Sequence, residues 1–315
     1  MIGSLVTMAA LKSGGFELAS PRFGRETGQM VIATGLGLYF TPTVARHVLG
    51  YWELLLAAAL FAAALAYVGA WMLSRWTDTD RTTALFASVP GGAAEMTNLG
   101  ERFGARSDRI AVAQSLRILM VVVIVPFAMT WSGAHGADAY VGTSVAARPT
   151  GLVALLCSAA AGGFALWFVG SPNPFMLGPL AVAIGLSVAE IHWSSIPGVL
   201  VSAAQILLGC SLGSRFEPGF MRGAPRYLLV VGLSIVVGIV VSALFGAFLA
   251  YWGGLAPATM VLATAPGGIA EMCITAQVLQ LGVPLVTAAH VTRVIILVTT
   301  TAPIFRLMRG LIRRQ

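Results

Sequence analysis

The sequence predicts an all-α, polytopic membrane protein made of two homologous repeats, and three observations carry that prediction. The chain is 57% hydrophobic and only 10% charged, with a mean hydropathy of +0.87; soluble domains carry roughly a quarter charged residues. Apolar runs of about 20 residues, long enough to cross a hydrocarbon core as helices, recur at Leu54–Met72, Ile110–Met129, Leu152–Val169, Tyr227–Leu249 and Pro284–Thr301. Finally, a single fixed offset carries Gln29 onto Gln205 and, without a gap, Arg117 onto Arg293.

Taken in chain order, Met1–Leu11 is apolar but too short to span. The segment from Gln29 through Leu36, Gly37, Phe40 and Pro42 to Arg46 repeats as Gln205, Leu212, Gly213, Phe216, Pro218 and Arg222. Ala87-Ser-Val-Pro-Gly-Gly-Ala-Ala-Glu-Met96 repeats as Ala263-Thr-Ala-Pro-Gly-Gly-Ile-Ala-Glu-Met272. In the second repeat the predicted spans are Gly151–Val169, Phe175–Ile191, Pro197–Ser214, Tyr227–Tyr251 and Val283–Phe305, with a broken segment near Thr259–Leu279. The resulting organisation is a first repeat over 1–131, an extracytoplasmic linker over 132–150 and a second repeat over 151–315. About 9–11 transmembrane segments are expected, counting two re-entrant helices broken by Pro-Gly-Gly. Met1-Ile-Gly-Ser-Leu also resembles Met176-Leu-Gly-Pro-Leu at nearly the same shift, and only the second copy has a whole apolar helix ahead of it. From this the chain is expected to begin partway through its first repeat, at an internal methionine.

An odd number of spans per repeat inverts one repeat relative to the other, and the basic residues test this. Placing the carboxyl terminus in the cytoplasm puts 15 of the 19 Lys and Arg residues on the inner side, leaving Arg46 and Arg148 outside and Arg117 and Arg293 within the membrane. That is the positive-inside pattern of a multi-pass protein of a bacterial inner membrane. Parallel repeats with six full spans each would put charged loops on both sides.

The same charge distribution argues against nucleic acid, because the net +7 lies in short clusters between apolar runs. Cys157, Cys210 and Cys273 sit inside apolar segments, and His47, His135, His192 and His290 are scattered. No pair stands at metal-ligand or redox spacing, so neither a cofactor nor an enzyme is expected.

The candidate site is the pair of breaks. Pro90, Gly91 and Gly92, and Pro266, Gly267 and Gly268, interrupt apolar stretches, and irregular backbone at bilayer depth survives only inside protein or beside water. Inverted repeats with broken helices meeting at the midplane are a carrier architecture, with half-helix amino termini aimed at the solute. Glu95 and Glu271 fall in the first turn after each break, where the helix dipole favours a carboxylate that could also take up a proton or a cation. Arg117 and Arg293 stand mid-span, each requiring a partner or an anionic ligand. Gln114 and its counterpart His290 share their helix face, and Asn98 has only Ile274 as counterpart. These residues predict a secondary transporter for a small solute or ion, an anion among the candidates. The other open readings are a channel and a membrane-embedded regulator acting on gene expression indirectly. The expected partners are the solute and the lipid bilayer, with a homo-oligomer left open.

The duplicated Pro-Gly-Gly-x-Ala-Glu-Met motif, with Met176-Leu-Gly-Pro-Leu, resembles the AbrB family of duplicated bacterial inner-membrane proteins. Members often carry an ammonia monooxygenase label, and one is described as a regulator of gene expression. The resemblance covers nearly the whole chain and implies a polytopic, duplicated fold without an established substrate. The residues here offer no metal site on which a monooxygenase could work.

Overall fold

The computed structural model describes residues 2–14, 16, 22–91, 93–136, 146–171, 173–214 and 225–312, and gives backbone alone for residues 2, 13, 22, 93–95, 298 and 301–312. The middle of the expected linker, and Arg215, Arg222, Arg313 and Arg314 of the basic clusters, lie outside the described residues. Those residues form fourteen helices and no strand. The first half contributes α1 (Ile2–Ser13), α2 (Arg22–Gly37), α3 (Pro42–Gly50), α4 (Trp52–Trp76), α5 (Arg81–Ser88), α6 (Ala93–Arg102) and α7 (Ser107–Trp131). The second contributes α8 (Pro149–Phe168), α9 (Pro174–Val188), α10 (Gly198–Gly213), α11 (Pro225–Gly253), α12 (Pro257–Thr264), α13 (Ile269–Val278) and α14 (Val283–Ile312). Helices α4, α7, α8 and α11 are long and apolar enough to cross a membrane. Starts follow local chemistry: Thr41 caps α3 ahead of Pro42, and the Asp80 carboxylate caps α5 by accepting from Thr83 N at 2.9 Å.

The helices pack in two groups, each drawn from both halves of the chain. One joins α1, α2, α8, α9 and α10; the other joins α4–α7 with α11–α14. In the first group, glycines set the approach. A Cβ at Gly37 would strike Ala183 and the Leu180 carbonyl on α9, and one at Gly213 would strike the Leu5 carbonyl and Met8 on α1. Leu5 and Met8 are the first-repeat counterparts of Leu180 and Ala183, so α1 packs on α10 as α9 packs on α2. Close backbone approach is the reason for these two glycines.

In the second group, each broken segment folds back on itself. Helix α5 starts beside the start of α7, where Arg106 N donates to Thr83 Oγ1 at 2.9 Å and Arg109 donates to the Asp78 carbonyl at 2.8 Å. It ends one turn-rich stretch deeper, beside Gln114 and Arg117. Helix α6 then returns: Ala105 N bonds the Gly100 carbonyl, and Phe103 stacks on Phe86 at 5.8 Å. The second hairpin repeats this plan, with Gly282 N on Thr259 Oγ1 at 3.2 Å at its open end and Arg293 at its tip.

The two hairpins enter the group from opposite ends. Gly136 N, just past the end of α7, donates to the Leu279 carbonyl at 3.2 Å, so the open end of the second hairpin lies at the far end of α7 from the open end of the first. Tyr227, at the start of α11, donates to the Arg109 carbonyl at 2.9 Å, and its ring lies under the Arg109 guanidinium. Arg106, Arg109 and Arg226 therefore gather at the first hairpin's open end.

Candidate functional site

Proline at position i leaves the carbonyl of residue i−4 without its helical donor. Position 86 stands in that relation to Pro90, and position 262 to Pro266. Both carbonyls are met from the neighbouring long helix: Gln114 Nε2 donates to Phe86 O at 2.9 Å, and His290 Nε2 lies 3.0 Å from Leu262 O. Gln114 Nε2 also reaches Val89 O at 2.9 Å. A glutamine and a histidine thus do the same work at equivalent places. Each places a ring or amide nitrogen within hydrogen-bond distance of the oxygen four residues before its proline, and Ala265 N also donates to Leu262 O at 3.3 Å.

The arginines complete the repair. Arg117 donates to Val89 O at 3.0 Å and Gly91 O at 3.1 Å, while Arg293 donates to Ala265 O at 2.6 Å and to Gly267 O. Inserting an arginine at the middle of a membrane helix costs about 2.5–3.5 kcal/mol. Two charge-assisted hydrogen bonds, at roughly 1.5–3 kcal/mol each, cover that. The guanidiniums also sit at the carbonyl ends of α5 and α12, the negative ends of those half-helices. The sequence requires for Arg117 and Arg293 a partner or an anionic ligand, and the tip carbonyls are such partners.

The rest of the motif follows from packing. Met96 and Met272 fold back so closely over Gly91 and Gly267 that a Cβ at either glycine would come within 2.8 Å or less of the methionine. Glu271 lies in the first turn of α13, and its carboxylate bends back to where a Cβ on Gly268 would stand. A side chain at Gly268 would have to displace that carboxylate. Gly92 lies outside the described residues, as does the Glu95 side chain.

A cavity of about 90 Å³ opens at the seam between the two helix groups, several times the room one water needs. Both hairpin tips reach it, through Pro90 and Gly91 on one side and Gly267 to Glu271 on the other. Its charged lining is Arg25 from α2, Arg117, Arg293 and Glu271. Among the described residues no carboxylate lies within ion-pairing reach of these arginines, the one ion pair being Arg106 with Asp108 at 2.9 Å. Arg293 is 4% exposed, and Nε of Arg117 and of Arg293 is buried without a hydrogen-bond partner. A second cavity of about 60 Å³, between α4, α7 and α11, shares Pro90 and Arg117 with the first and reaches Pro266. The hairpin tips and Arg117 form the partition between the two.

Of the sequence candidates, Pro90, Gly91, Arg117, Gly267, Gly268, Glu271 and Arg293 line the larger cavity, and Pro266 lines the smaller. Gln114 and His290 are fully buried on the tip carbonyls and line neither. Asn98 is exposed on α6, away from both. Arg25, Gln29 and Asn173 also line the larger cavity. Arg25 reads in sequence as a loop cation, and Asn173 as part of an ordinary Pro-rich turn. The available signal for Asn173 was its place between two prolines at a helix start, where the structure holds it at φ 51° as the cap of α9. Among the described residues no three His, Cys, Asp or Glu side chains converge to hold a metal.

These features define a membrane-type helical protein with two broken hairpins whose tips meet at a buried, cation-rich cavity. The chain belongs to the AbrB family: the family described as "Transition state regulatory protein AbrB" matches residues 1–309. It is similar to the "Uncharacterized protein YhjN" of Bacillus subtilis (strain 168), at 27% identity over 304 residues, covering 90% of this chain and 78% of the relative. It is also similar to the "Putative regulator AbrB" of Escherichia coli (strain K12), at 23% identity over 309 residues, covering 97% of this chain and 88% of the relative.

Proposed function

We propose that the protein is a secondary carrier of a small anionic solute, which binds in the cavity between the hairpin tips near the bilayer midplane. The observation that carries this reading is the charge of the cavity, three guanidiniums against one described carboxylate. The hydrogen bonds of Arg117 and Arg293 to carbonyls satisfy donors but do not cancel charge, and a net positive charge among the described groups of a low-dielectric interior draws an anion. The amino terminus of α13 and that of α9, at Asn173, open on the same space and add positive potential. Two hairpins entering from opposite ends, with a cavity on either side of their tips, suit alternating access between inverted repeats. In this reading the hairpins are re-entrant, and the end bearing Arg106, Arg109 and Arg226 faces the cytoplasm of a bacterial inner-membrane protein, together with the carboxyl terminus. The regulatory wording attached to the family fits an indirect effect, through the level of the solute carried.

Uptake of radiolabelled nitrate, pyruvate and phosphate into proteoliposomes tests this. Saturable uptake of at least one is expected. Arg25→Gln, which removes a cavity charge that makes no hydrogen bond described within the fold, should raise the half-saturating concentration about tenfold. Absence of uptake with correctly folded protein, or unitary currents in a planar bilayer, would overturn the carrier role.

A further inference from the structure

We infer that Glu271 is a tethered competitor for the anion site, and that its protonation couples solute binding to uptake of one proton. Coupling of this kind rests on the carrier role proposed for the same cavity and names its coupling ion.

The geometry has three parts. First, the Glu271 side chain does not reach away from α13 but folds back against Gly268, over the amino-terminal end of its own helix. It already occupies the place that a solute carboxylate would take at that terminus. Second, the same carboxylate lines the cavity with Arg25 of α2, Arg117 of α7 and Arg293 of α14, the helices packed on α13. Of the other titratable side chains described on those elements, Cys273 lies against Thr287 Oγ1 at 3.2 Å and His290 against the Leu262 carbonyl; Glu26, beside Arg25 on α2, and Asp108 and Arg109, at the start of α7, do not line the cavity, and α12 supplies none. Third, the carbonyl ends of broken helices commonly take the metal cation that drives a carrier, and here those ends are filled by the Arg117 and Arg293 guanidiniums. A sodium ion has no place at either tip while the arginines hold it. Among the described residues, the cavity's only exchangeable charge of that kind is the proton of Glu271.

The cycle then balances. In the empty carrier, the Glu271 carboxylate offsets part of the arginine charge. An entering anion meets the same donors, and two negative charges within about 4–6 Å disfavour each other. A proton from the aqueous side joins a Glu271 carboxyl oxygen and removes the conflict, so one anion and one proton load together as a neutral pair. On the opposite side the anion leaves, the proton returns to water, and the carboxylate closes again over α13.

The test uses full-length purified protein in detergent, in weakly buffered solution with a pH-sensitive dye. The probes are sodium nitrate and sodium pyruvate, both fully ionised near neutral pH. Wild-type protein is expected to take up close to one proton per anion bound, with affinity falling as pH rises. Glu271→Gln should bind the same anions about tenfold more tightly at pH 8, with no proton uptake. Glu271→Asp keeps a titratable acid and should keep the proton uptake, which separates the role from a fold defect. Anion binding without proton uptake in wild type, and with unchanged affinity in Glu271→Gln, would overturn the coupling while leaving the anion site standing. If none of the three folded proteins binds either anion, both the coupling and the carrier role fall.

Discussion

At the scale of single residues, the Pro-Gly-Gly breaks are expensive features made tolerable by four side chains. Gln114 and His290 reach the carbonyls four residues before Pro90 and Pro266, and Arg117 and Arg293 each donate to two carbonyls nearer the tip. Gln114 reaches Phe86 O and Val89 O where His290 meets Leu262 O alone, but Arg117 also donates to Val89 O, so a single ring donor on Phe86 O should suffice. Gln114→His is therefore expected to be tolerated. Gln114→Leu should cost about 1–3 kcal/mol for the buried hydrogen bonds it removes, read as a lower midpoint in denaturant-induced unfolding in detergent. The sequence marked all four as unusual, because polar and charged groups in apolar spans are conspicuous. Their role was not legible. A guanidinium satisfied by main-chain carbonyls and one awaiting a ligand look alike in a one-dimensional string.

At the scale of elements, the broken helices and the long spans follow closely from the local pattern. The predicted span Gly151–Val169 is α8 (Pro149–Phe168), and the predicted break near Thr259–Leu279 is the pair α12 and α13. Agreement is good there because a run of apolar residues bounded by Pro, Gly or charge has few alternatives in a bilayer. The short helices at the cavity were less legible, since α9 holds Asn173 against the cavity from what reads as a plain turn. Packing by small residues gives a further prediction. A Cβ at Gly178 would enter the backbone of Gly162 and Gly163 on α8, whereas its first-repeat counterpart, Gly3, has nothing within 4 Å. Gly178→Leu should lower stability by about 1–3 kcal/mol or more. Gly3→Leu should leave the unfolding midpoint in place. Equal effects at the two positions would contradict the packing described for α8 and α9.

At the scale of the whole molecule, the two halves do not form two bodies side by side. Each helix group takes members from both, and the cavity lies at the seam, where Arg25 of the first half faces Glu271 and Arg293 of the second. The open ends of the hairpins lie at opposite ends of α7, which gives a test of orientation. In protein whose native cysteines are replaced, single cysteines at Glu101 and Gln280, both exposed at hairpin ends, should be labelled by a membrane-impermeant maleimide from opposite sides of sealed vesicles. Labelling of both from one side would rule out hairpins dipping from two leaflets.

What the sequence by itself determined is everything that depends on spacing along the chain: the membrane class, the repeat at a constant offset, the positions of the breaks and the charges lodged in apolar spans. Those properties are local, because hydropathy over the length of one helix and the missing N–H of a proline act wherever the chain folds. Only the tertiary structure decided which charges share a space. Arg25, Arg117, Glu271 and Arg293 are far apart in sequence and meet because helices from both halves close around one hollow. Apolar pattern can require that buried polar groups find partners, but only packing determines which partners come within a hydrogen bond's length.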